Sequence, residues 1–130
     1  IEGMQMAPMA KMLANDAAVN DVIAYIKTLK GKAPVATVKG DATKGKASYM
    51  MCSACHGQKG EGQKALKAPK LSGSSDWYLV TQLKKFKTGV RGAHPKDMEG
   101  MQMAPMAKML ADETAMKDVV AYINGLGAKK

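Results

Sequence analysis

Apolar positions recur at helical spacing along much of this chain, and no stretch alternates apolar and polar residues as a strand would. Asp41 reads as the N-cap of a helix running from Ala42 to about Ala54, with Gly45 and Tyr49 on one face. A second helix opens at Ser74-Ser75-Asp76, places Leu79, Leu83 and Phe86 on one side, and stops at Gly89. Met116, Val119, Val120, Ile123 and Leu126 make the buried face of a last helix from Asp112 to Asn124, closed by Gly125 and Gly127. Residues 58–73 and 90–103 carry glycines, prolines and lysines without a period and are expected as loops. Pro105 suits the first turn of a short helix in which Met106, Met109 and Leu110 form the buried stripe. The fold class that follows is all-α.

One part of this pattern occurs twice. Glu2–Ala14 is identical to Glu99–Ala111, and the likeness continues through Asp21-Val22, Ala24-Tyr25-Ile26 and Leu29, which match Asp118-Val119, Ala121-Tyr122-Ile123 and Leu126. The segment between the copies occurs once. The expected organisation is a C-terminal arm of a preceding repeat copy over residues 1–30, a Gly/Pro linker over 31–40, and one domain over 41–130. Ile1-Glu2-Gly3-Met4 reads as mid-domain sequence without a signal-peptide pattern, so a mature or trimmed chain is expected.

Composition changes this picture in three ways. The formal charge is +9, and between Gln58 and Lys96 nine Lys or Arg stand against Glu61 and Asp76 alone. That basic middle is either a solvated surface or a steering patch for an acidic partner, and no aromatic-rich nucleic-acid motif accompanies it. No apolar run approaches the ~20 residues of a membrane span. Aromatic residues are scarce while methionines number 12, so a bound apolar group would supply much of the core's bulk, with thioethers as soft filling.

The chemistry concentrates in Cys52-Ser53-Ala54-Cys55-His56. Two thiols three positions apart on a helical turn reach the two vinyl groups of one porphyrin edge, and the histidine that follows offers a nitrogen to the iron. Rival readings are a redox dithiol, a zinc half-site and a buried structural pair. A redox dithiol needs no adjacent histidine and usually sits in a βαβ context. A structural zinc site needs four ligands, and only Cys52, Cys55, His56 and His94 are available as thiols or imidazoles. Covalent attachment of one haem c per chain is the expectation. Met103, read as lying in a non-helical stretch before Pro105, is free to point at such a group. Met101 in the same segment is its competitor, and Met106 and Met109 read as core. His94, in a Gly/Pro loop, is a further candidate ligand and reads first as a surface residue.

Residues 41–126 resemble a class I cytochrome c, and most of all a domain of the tandem di-haem bacterial cytochromes c. The resemblance is carried by GKASYMMCSACHGQKGEG, APKLSG, DWYLVTQLKKFKTGVRG, MQMAPMAKMLADE and DVVAYINGL. It implies that the first and last helices of the domain cross, with Gly45 and Tyr49 near Val119 and Tyr122. It implies His56 as proximal ligand, its other ring N–H donated to the Pro69 carbonyl, and Met103 as distal ligand. Trp77, Tyr78 and Arg91 fall where such domains contact haem propionates. The implied function is periplasmic electron transfer, not enzymatic turnover, with a redox partner whose docking surface is acidic. The competing readings are a relay domain of a larger oxidase or reductase, and a haem enzyme or gas sensor with a labile distal ligand. The arm over residues 1–29 is expected to serve a preceding haem domain or an arm-swapped oligomer.

Overall fold

The computed structural model describes residues 2–127, and among them the chain forms six α-helices, one 3-10 turn and no strand. It divides into two units between Lys32 and Ala33. The first unit is α1 (Glu2–Lys11) and α2 (Asp16–Thr28), joined by a short turn in which the Asn15 side chain accepts the N–H of Ala18 at 3.0 Å. No residue of α2 is buried.

The second unit contains α3 (Ala42–His56), the 3-10 turn (Lys64–Leu66), α4 (Asp76–Lys87), α5 (Met98–Lys108) and α6 (Glu113–Gly127). Asp41 caps α3, accepting from the N–H groups of Thr43 and Lys44 at 2.9 and 3.2 Å. Helices α3 and α6 form the main packing contact, and α4 packs against both α5 and α6. Val119, Val120, Met116 and Ile123 on α6 are buried with Tyr49, Leu79, Val80 and Leu110. Full burial of a Val or Ile side chain contributes roughly 1.5–3 kcal/mol, so this face of α6 holds much of the unit's stability. The crossing of α3 and α6 requires a glycine. A Cβ on Gly45 would overlap the backbone carbonyl of Asp118. The Asp118 carboxylate in turn accepts the Asp41 N–H at 2.7 Å, and the rings of Tyr49 and Tyr122 meet at 5.3 Å.

Asp76 does more than open α4. Its side chain is 1% exposed and accepts from the N–H and hydroxyl of Thr37, the N–H of Val38 and its neighbour Trp77's N–H, at 2.5–2.7 Å. Those bonds pin the extended stretch before α3, where a bare linker was expected, and Val38 packs against the core.

The structure corrects the sequence reading at α5. The helix begins at Met98, not Pro105, because Asp97 caps it by accepting the Gly100 N–H at 3.0 Å. Pro105 lies inside the helix, and Met101 and Met103 are helical, not extended. Met106 and Met109 are 37% and 60% exposed and are not core. The buried side of α5 is Gly100, Ala104 and Ala107, with Leu110 just beyond its end.

Candidate functional site

The motif occupies the last turn of α3, so Cys52 and Cys55 stand one helical turn apart on the same side and His56 ends the helix. Both thiols are free, Cys52 half-buried and Cys55 exposed. Burial pushes the Cys52 thiol up from its ordinary range, and Cys55 beside it acts in the same direction. The helix exit is held from the core. The Tyr49 hydroxyl donates to the Gly57 carbonyl at 2.8 Å, and burial, with Cys52 and Glu61 nearby, pushes that phenol up to about 12. Tyr49 is therefore a neutral donor throughout the ordinary pH range.

His56 is buried, and its Nδ1 lies 2.8 Å from the Pro69 carbonyl oxygen. A carbonyl only accepts, so Nδ1 carries the proton and Nε2 keeps its lone pair. The loop that brings Pro69 back to His56 is built for the purpose. Gly62, at φ +79°, donates its N–H to the His56 carbonyl at 2.8 Å, and a Cβ there would sit 2.6 Å from the Lys70 nitrogen. Gln63 and Ala68 exchange backbone hydrogen bonds at 2.9 and 3.1 Å around the 3-10 turn. The Gln63 side chain also donates to the Ala54 carbonyl at 3.2 Å, which fastens the turn to the motif helix.

Met103 is half-buried on α5, packed against the cluster of Phe86, Ala104 and Ala107. Met101, its competitor in the sequence, is 49% exposed and lines a surface cleft of about 300 Å³ with Pro95, Met98 and Gln102. His94 is exposed and its Nδ1 accepts the Lys96 N–H at 3.1 Å, closing a local turn. Trp77 and Tyr78 are 59% and 46% exposed, with their rings edge to face. The Arg91 guanidinium donates to the Gln82 side chain at 2.8 Å and lies 4.4 Å over the Phe86 ring, which braces the end of α4.

The donor set fits a covalently held haem. It combines two free thiols at one-turn spacing, an imidazole with one nitrogen fixed and the other available, and a half-buried thioether on α5. Among the described residues there is no group of three or more His, Cys, Asp or Glu able to hold a bare metal ion. Sequence reasoning missed Tyr49, Gly62 and Gln63 as supports of the motif, and Asp97 as the cap of the Met103 helix. Only Asp97 left a signal, an acidic residue three positions before a glycine whose N–H it accepts.

Comparison with known proteins agrees with this geometry. The family described as Cytochrome c matches residues 42–127. Cytochrome c4 of Stutzerimonas stutzeri is 31% identical over 108 residues, 82% of this chain and 50% of that protein. Cytochrome c-554(548) of Halomonas halodenitrificans is 37% identical over 83 residues, 64% of this chain and 93% of the relative. The crystal structure of reduced recombinant cytochrome c4 from Pseudomonas stutzeri superposes with a TM-score of 0.72 at 25% identity, covering 93% of this chain and 65% of that one. The chain thus spans half the length of the curated cytochrome c4 and nearly all of the c-554(548).

Proposed function

Since this chain belongs to the cytochrome c family, we propose that it is an electron carrier with one haem c attached through Cys52 and Cys55 and ligated by His56 and Met103. The observation that carries this reading is His56, buried at the end of the motif helix with Nδ1 held by Pro69 and Nε2 left as a donor. When bound, haem c supplies an iron that takes up and gives back one electron reversibly. The rest is the work of the chain. Cys52 and Cys55 would hold the group covalently by thioether bonds, so that it does not dissociate between partners. The Nδ1–H···O=C bond to Pro69 fixes the imidazole's orientation and makes it a stronger donor. The Met103 thioether, a soft ligand, favours the reduced iron and raises the potential relative to a second imidazole. Phe86, Ala104 and Ala107 around it keep water away, and a dry pocket disfavours the extra charge of the ferric state. With His56 and Met103 both given to the iron, no site would be left for a substrate, which favours carriage over turnover.

The lysines of residues 59–96 fit docking on an acidic redox partner, where charge complementarity speeds encounter. We place the protein in the bacterial periplasm on its family resemblance. Among the described residues no helix is long and apolar enough to cross a membrane. Residues 1–30 we read as the end of a preceding haem domain, from their identity with the end of this one.

The test is mass spectrometry after acid–acetone extraction. Haem mass retained on the polypeptide of the unaltered protein, and lost in the Cys52→Ala/Cys55→Ala double variant, is the expected result. A bare apo mass from cells competent for haem attachment would sink the reading.

A further inference from the structure

Lys67 is the only described residue other than glycine with a positive φ, at 52°. It follows the 3-10 turn and precedes Ala68-Pro69, so it belongs to the closed loop that presents the Pro69 carbonyl to His56. Glycine or asparagine adopts this backbone conformation at less cost than lysine. The side chain that occupies the position reaches out of the loop: its ammonium donates to the Glu99 carboxylate at 2.5 Å. Glu99 lies in the first turn of α5, four residues before Met103 and therefore one turn below it on the same helix face. Helical side chains lean towards the N-terminus, so the Met103 side chain leans over the turn that Glu99 anchors.

The ends of α5 are held elsewhere. Asp97 bonds the Gly92 and Gly100 N–H groups at its start, and Lys87 on α4 caps the carbonyls of Leu110 and Ala111 beyond its end. Those bonds join α5 to α4 and to its own flanking loop. The Lys67–Glu99 pair crosses instead from the loop that orients one axial residue to the helix that carries the other.

We propose that Lys67 and Glu99 are a positioning pair that holds the Met103 helix against the His56 loop and slows the departure of the Met103 thioether. This rests on the His56/Met103 ligation proposed above. Glu99 is held below the usual carboxylate range by its hydrogen bond to Lys67, and Lys67 is pushed up by the same bond, so both are charged at neutral pH. The side chains are 73% and 45% exposed, and exposed pairs contribute little to global stability. The effect therefore belongs to a local opening of the Met103 helix, not to unfolding of the domain.

External imidazole binding to the ferric haem protein reads that opening, because at saturating imidazole the rate is set by loss of the methionine. Lys67→Gly and Glu99→Gln should each raise this plateau rate about three-fold, in line with one exposed ion pair. Raising salt to about 1 M, where the Debye length is near 3 Å, should speed the unaltered protein to the same level and leave both variants unmoved. Lys67→Gly also relieves the left-handed backbone, so its melting temperature should stay level or rise while the methionine leaves faster. Unchanged plateau rates in both variants would overturn the proposal. So would a faster rate accompanied by a matching fall in the melting temperature of Lys67→Gly, which would mark a merely structural contact. The ligation reading is checked separately by the sulfur-to-iron band of the unaltered ferric protein. If that band is absent, or survives Met103→Ala, both readings fall, whereas a band lost only in Met103→Ala leaves the pair as the sole point at issue.

Discussion

Residues 2–29 and 99–126 carry nearly the same sequence and form the same helix–turn–helix, yet they differ in what they bury. Ala104, Ala107 and Leu110 are 7%, 0% and 5% exposed, while their counterparts Ala7 and Ala10 are exposed and Leu13 is half-buried. Val119, Val120 and Ile123 are 1%, 0% and 4% exposed against 41%, 43% and 56% for Val22, Ile23 and Ile26. The helices themselves are a local property, set by caps and good helix formers in both copies. Burial is not local. It needs α3 and α4, with Gly45 to admit the α6 backbone and Asp41 to meet Asp118. The first unit has the complementary residues, Asp21 and Val22 among them, without those two helices of its own.

The comparison is tested most strongly by one truncation made in each copy. Ile123→Ala should cost the second unit about 2–5 kcal/mol, the usual loss for a large aliphatic side chain cut back in a packed core. Ile26→Ala should shift the same denaturation midpoint by less than about 0.5 kcal/mol, as surface substitutions do. Denaturant unfolding followed by haem absorbance reads the second unit alone. Equal losses at the two positions would mean that α2 is as deeply packed as α6, and the contrast between the copies would be wrong.

The same contrast explains how much was legible in the sequence. Helices α3, α4 and α6 have large apolar residues at helical spacing or a clear cap, and their signals survive without knowledge of partners. The attachment motif is legible because its chemistry is contained in one turn. The start of α5 is not, since its buried face is glycine and alanine, which carry almost no periodic signal, while its exposed methionines mimic a core stripe. Pro105 compounded this by resembling a first-turn proline. Two contacts between distant residues left no trace either: Asp76 to Thr37 and Lys67 to Glu99 depend on a fold already formed.

Asp76 offers a smaller separation of the two units, through pH. Burial alone would raise its pKa, but the N–H groups of Val38, Thr37 and Trp77 and the Thr37 hydroxyl outweigh it and hold the carboxyl at about 2, against an ordinary 3.8. A folded-state pKa below the unfolded one means that the carboxylate's contribution is complete above about pH 4 and is lost as pH falls through 2. The second unit should therefore loosen across that window in step with release of residues 37 and 38. Asp76→Asn should be less stable at pH 7 by about 1–3 kcal/mol, the cost of impairing hydrogen bonds at a buried polar site, and should lose this part of the acid dependence. An acid transition identical in the two proteins would assign the window to other carboxylates. The helicity of residues 16–28 should be indifferent to the Asp76 substitution, since the groups Asp76 bonds, on Thr37, Val38 and Trp77, belong to the second unit.

The smallest effect is the most telling for the repeat, because it compares one device at two matched positions. Asp112 accepts the Ala115 N–H at 2.8 Å at the start of α6, and Asn15 accepts the Ala18 N–H at 3.0 Å at the start of α2. Both satisfy an amide that the helix leaves without an internal partner, and removal of such a cap typically costs about 1 kcal/mol. In the second unit the first turn of α6 is coupled to Met116 and Val119 in the core, so Asp112→Ala should lower global stability by about that amount. In the first unit the same loss stays in the turn where it is made. Asn15→Ala should leave the denaturation midpoint of the haem domain unmoved while the amides of Ala18 and Val19 exchange hydrogen faster. Amide exchange resolved by residue, run beside denaturant unfolding, measures both at once. A global loss from Asn15→Ala equal to that from Asp112→Ala would show that the first unit folds cooperatively with the second. An unchanged Ala18 exchange rate would show instead that the cap is not formed in solution. The expected pair of results, local in one copy and global in the other, follows from where each helix finds its packing surface.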